Sequence, residues 1–113
     1  MAWKNGGVQS DIGSLDRLER HTNTDEVFIL VRGRGVLVSC RATELATETI
    51  AVQRLEPDTA YRVHRGVWHA TVLSRDAAVV IVENQGPASE SRVLTAPALH
   101  TIREAVTAAW DAP

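Results

Sequence analysis

Cysteine is almost absent from this chain: Cys40 is the single one in 113 residues. One thiol excludes an intramolecular disulfide and a cysteine-rich zinc site. An excess of either charge is lacking too. The formal net charge is −2, and Arg17, Arg20, Arg32, Arg34, Arg62 and Arg65 are scattered rather than clustered. No basic field exists to draw in nucleic acid or anionic lipid. No apolar run approaches the length of a membrane span. The opening Met-Ala-Trp-Lys-Asn-Gly-Gly has no apolar core of a signal peptide. No repeat or low-complexity segment is visible. These absences leave a single soluble domain of ordinary composition, 44% hydrophobic and 23% charged, expected in the cytoplasm. A chain of this length buries a core without covalent staples.

What is present is a succession of short strands. Residues 1–14 read as an amino-terminal arm, with a short edge strand near Val8. Residues 15–21 fit either helical spacing or alternation. Thr22 to Asp25 is a polar turn. Val27 to Val31 is apolar and rich in β-branched residues, and it stops at the Arg-Gly-Arg-Gly turn of residues 32–35. Val36 to Cys40, Glu48 to Leu55, Ala60 to Val63, Trp68 to Leu73 and Ala77 to Val82 follow, with turn residues between them. Strands at such regular spacing are the mark of a sandwich or barrel. Residues 84–92 read as a loop. The tail differs: Thr95 is a cap, Pro97 suits a first helical turn, and Leu99, Ile102, Val106 and Trp110 form one apolar stripe. The expected architecture is all-β, a barrel over 15–84 with a carboxy-terminal helix over 95–110.

Such a barrel points His21, Glu26 and His69 toward one cavity. Imidazoles and a carboxylate are metal-ligand types and acid–base types at once. Alternation puts His69 on one face with Thr71 and Leu73. Tyr61 and His64 fall at the cavity mouth but on opposite strand faces, so only one of them points inward. Arg32 follows Glu26, Phe28 and Leu30 along one face and suits a substrate carboxylate. Glu83 and Asn84 close the last strand, and either enters the cavity or ends the sheet. Trp68 is a core or interface filler, and His100 belongs to the surface of the helix.

The spacing of these residues resembles the two motifs of the cupin superfamily. Gly13, five residues, Glu19, Arg20, His21, four residues, Glu26, six residues and Gly33 reproduce the first, with Glu19 where the family has its first His. In the second, Gly66 and His69 match, while Asp58, His64 and Leu73 replace the family's Gly, Pro and Asn. The likeness covers roughly residues 13–84. The segment Gly66-Val67-Trp68-His69 also resembles ureidoglycolate lyases locally.

The resemblance implies a cupin-type double-stranded β-helix, or jelly-roll barrel. It implies a divalent ion (Fe, Mn, Zn or Ni) held by His21, Glu26 and His69, with Glu19 as a fourth ligand. The function expected is a metal-dependent enzyme acting on a small polar metabolite, of isomerase, lyase or oxygenase type, with Glu26 and His69 catalytic and Tyr61, Arg32 and His64 contacting substrate. The alternative is a metal-free or non-catalytic ligand-binding cupin. The apolar outer sheet face, by the same resemblance, implies a homodimer.

Overall fold

The computed structural model describes residues 2–5, 12–40, 50–84, 86 and 88–112. Among the described residues are nine strands and one α-helix, with a 3-10 turn at Ile12–Ser14: β1 (Ala2–Asn5), β2 (Arg17–His21), β3 (Glu26–Arg32), β4 (Gly35–Cys40), β5 (Ile50–Arg54), β6 (Ala60–Val63), β7 (Trp68–Leu73), β8 (Ala78–Glu83), β9 (Ser89–Val93) and α1 (Ala96–Asp111). The strand expected near Val8, and the first residues of that expected over Glu48 to Leu55, lie outside the described residues.

The strands form two antiparallel sheets. One has the order β1-β8-β3-β6 and the other β5-β4-β7-β2-β9. The pairings β2 with β9, β3 with β8 and β4 with β7 are nested, each strand meeting one counted back from the chain's end. That nesting is how a long antiparallel hairpin wraps into a double-sheet roll.

Alternation along the strands divides the apolar residues between two cores. Phe28, Leu30, Leu37, Leu73 and Val79 fill one end of the space between the sheets. Leu18, Val36, Val38, Trp68 and Val72 face the other way, onto Ala98, Ile102 and Val106 of α1. The helix therefore covers the outside of the five-stranded sheet. Burying a side chain such as Ile102, which is fully enclosed, contributes about 1.5–3 kcal/mol. Thr95 caps α1, its side chain accepting from the Ala98 amide, and Pro97 lies in the first turn. Leu99 and Trp110 are only partly buried, so Ala98 does part of the docking expected of the large residues.

Two expectations change. Residues 15–21 are resolved in favour of a strand, β2, and the expected loop over 84–92 contains most of β9. Every residue of β9 is exposed, so no hydrophobic pattern marks it. It is an edge strand made by backbone pairing to β2 over Arg17–His21. No helix among the described residues is long and apolar enough to cross a membrane.

Candidate functional site

The end of the inter-sheet space opposite the apolar plug is polar. β2 brings Glu19 and His21 to its inner face while Leu18 and Arg20 turn outward. β7 lies beside it, with Glu19 directly opposite His69. The facing sheet contributes Glu26 at the start of β3 and, directly across from it, Glu83 at the end of β8. Glu26, His69 and His21 are buried, at 4%, 3% and 9% exposure.

Turns hold these groups in place. The Asp25 carboxylate accepts from the Arg65 amide at 2.7 Å and from the Arg62 guanidinium at 2.6 Å. Thr24 Oγ1 accepts from the Asn84 amide at 3.1 Å, and Asn23 Oδ1 accepts from the Ala88 amide at 2.8 Å. The Thr22–Asp25 turn is thereby tied to both the β6–β7 and β8–β9 connections. His21 and Glu26 emerge from its two ends.

Both imidazoles converge on one oxygen. His21 Nε2 lies 2.7 Å from Glu26 Oε1, and His69 Nε2 lies 2.8 Å from the same atom. His69 Nδ1 is 2.9 Å from the Val67 carbonyl, to which it donates. A neutral His69 therefore presents a bare Nε2 lone pair to a carboxylate oxygen. Positive charge must sit there, as a proton on His69 or as a cation shared by the three groups. The Phe28 ring meets His69 edge-on, with centroids 5.8 Å apart, and closes the site on its apolar side.

The electrostatics follow. Burial pushes the Glu26 carboxyl up, but the adjacent His69 and His21 imidazoles outweigh it and hold it below the usual carboxylate range. Burial works against charge on His69 too, yet the Glu26 carboxylate and the Val67 carbonyl prevail and raise it. Burial and then the neighbouring Glu26 push the Glu83 carboxyl above the ordinary range.

Two overlapping groups can hold a cation: Glu19 with His21 and His69, and His21 with Glu26 and Glu83. Their donor chemistry, imidazole with carboxylate, suits Mn, Fe(II), Zn or Ni. Metal–ligand bonds of about 2.1 Å set neighbouring octahedral donors about 3 Å apart, close to the contacts seen at Glu26. The residues present fit a divalent ion.

Three other expected contacts are not brought to this cluster. Arg32 is exposed, and its guanidinium donates to the Asp76 carbonyl at 2.8 Å, at the other end of β3. A register shift between Leu30 and Arg32 breaks the alternation that put it inside. His64 is exposed in the β6–β7 connection. Tyr61 does face the inner core, but its hydroxyl accepts from the Glu56 amide at 2.7 Å. Trp68 is buried on the outer side of its sheet, with the Arg20 and Arg92 guanidinium groups 4.6 and 5.1 Å from its ring. Glu83, which the sequence left open, is at the centre. Extending the inward alternation of Val79 and Ile81 by one step would have found it.

No protein-family model matches the chain, and no curated protein matches it in sequence. Among solved structures it is similar to a dTDP sugar isomerase from Desulfovibrio desulfuricans G20, with a TM-score of 0.52 and 21% identity. The match covers 73% of this chain and 59% of that one, less than two thirds of the neighbour's length. At that identity the likeness concerns the fold alone: mostly β, two antiparallel sheets and a carboxy-terminal helix.

Proposed function

We propose that this protein is a cupin-type enzyme that holds a divalent cation with His21, Glu26 and His69 and acts on a small polar metabolite. One observation carries the reading: two imidazole nitrogens and a buried carboxylate oxygen meet at 2.7 and 2.8 Å, with His69 already oriented through Nδ1 by a backbone carbonyl. Fixing the second ring nitrogen in this way is what metal-ligating histidines commonly require. A bound divalent ion supplies Lewis acidity, stabilising negative charge that develops on a substrate oxygen.

The chain's own residues supply the rest. In the metal-free form His69 Nε2 and Glu26 Oε1, 2.8 Å apart, share a proton that they pass on as acid and base; with the ion bound both serve as its ligands. Phe28 excludes water from their apolar side. Glu19, with a side chain 55% exposed, faces the open side and meets the substrate first. The solved neighbour is a sugar isomerase, which makes isomerisation of a hydroxylated metabolite the first of the isomerase, lyase and oxygenase classes to try.

A second reading, a metal-free ligand-binding cupin, draws on the same pair: Glu26 and a protonated His69 already neutralise each other. Metal analysis of protein purified without a polyhistidine tag separates the two. Stoichiometric metal that is lost in His69→Ala supports the enzyme. A folded protein that takes up neither Mn²⁺ nor Ni²⁺ at millimolar concentration overturns it in favour of the second.

A further inference from the structure

Glu26 and Glu83 are cross-strand partners on β3 and β8, both turned inward. Like charges placed directly opposite each other are destabilising, so this pair calls for something positive between its members. Glu83 Oε2 is buried, lies 3.8 Å from His21 Nε2, and has no hydrogen-bond partner among the described residues. Glu26 Oε1 is likewise without a well-aligned partner on a residue only 4% exposed. Glu19, at the position where the first motif would place a ligand, is different. Its side chain is 55% exposed and its carboxylate is 3.9 Å from His21 Nε2; water satisfies it as it stands. A side chain that is mostly hydrated gives up solvation to bind an ion, whereas a buried orphan oxygen gains its missing partner.

We propose that Glu83, not Glu19, is the fourth protein donor to the cation, completing a set with His21, Glu26 and His69. The inference rests on the metal-binding reading above. Two imidazoles with two carboxylates are a comparatively hard set, favouring Mn²⁺ or Fe²⁺ over Cu⁺. It also gives the end of β8 a function: the ion joins the two sheets, which supply two ligands each.

The test is Mn²⁺ binding by calorimetry to the intact protein and to Glu83→Gln and Glu19→Gln. Both substitutions remove a carboxylate at nearly the same distance from His21 Nε2, 3.8 and 3.9 Å, and the solvent-screened Glu19 contributes the weaker field, so the count of bound waters is what isolates coordination. Glu83→Gln is expected to weaken Mn²⁺ by about tenfold or more and Glu19→Gln by less than about threefold. Water-proton relaxation of the Mn²⁺ complex should show one additional bound water in Glu83→Gln only. Without metal, the melting temperature of Glu83→Gln should rise, because a like-charge contact is gone. If Glu83→Gln does not fold by circular dichroism, Glu83→Asp, which retracts the carboxylate, takes its place and should lose affinity to an intermediate degree. Equal effects of the two Gln variants, or a larger one at Glu19, overturn the assignment while leaving the metal-binding reading intact. Failure of the unmodified protein to bind Mn²⁺ overturns both.

Discussion

Gly66 donates its amide to the carbonyl of His21 at 2.7 Å. This bond links the two motif halves, since His21 ends β2 and Gly66 lies three residues before His69. Gly66 adopts φ +82°, and a Cβ there would meet nothing within 4 Å. Only backbone strain opposes a side chain.

Gly66→Ala is therefore expected to destabilise by about 1–2 kcal/mol. Gly33 is the contrasting case: its φ is +79°, and a Cβ would come within 2.6 Å of Ala77 Cα and 2.8 Å of its amide nitrogen. Backbone cannot swing aside, so Gly33→Ala should lose about 1–3 kcal/mol more than Gly66→Ala. Urea unfolding of the two variants checks the order, and a Gly33→Ala protein as stable as Gly66→Ala would contradict it.

The metal-free protein should be most stable in mildly acidic solution. Glu26 lies below its ordinary value of 4.5, so its contribution is present above that pH and is lost as pH falls through its depressed value. His69 lies above its ordinary 6.5, so its contribution is full below that pH and is lost as pH rises through its raised value. Glu83 is raised from 4.5, which adds a further loss of stability once pH climbs past that point. Thermal unfolding in EDTA across this range should show stability declining above pH 6.5. His69→Gln should flatten that alkaline limb, and a limb unchanged by it would remove His69 as the cause.

Helix docking is testable apart from the site. Ile102→Ala, at a fully buried position between α1 and the five-stranded sheet, should cost about 2–5 kcal/mol. Thr95→Ala, which removes the cap on the Ala98 amide, should cost about 1 kcal/mol. Chemical denaturation reads both, and Mn²⁺ affinity should stay unchanged in Thr95→Ala.

The outer face of the four-stranded sheet presents Val31 and Val82 at 45% and 43% exposure. We propose that a second copy of this chain covers it, in line with the homodimer expected from the sequence. Light scattering at micromolar protein should return a dimer mass, and Val31→Glu with Val82→Glu should return a monomer. A monomeric mass for the unmodified chain would dismiss the proposal.

Much of the site could be read before any coordinates. His69 sits in an alternating run, where facing is a local property, and Glu26 opens an apolar strand bounded by turn residues. Arg32 was misplaced because one irregular residue in β3 reverses every facing beyond it. β9 was invisible because Ser89 to Arg92 has no apolar face to betray a strand. Glu83 stayed open because the end of a strand and the end of a sheet look alike in sequence.

The order of most strands and turns, the capped helix and the inward side of the regularly alternating strands follow from neighbours along the chain, because alternation and capping act over a few residues. The meeting of His21, Glu26, His69 and Glu83 was decided only by tertiary structure. It depends on β3 pairing with β8 and on two sheets closing face to face, contacts between residues far apart in the chain whose partners no local pattern names.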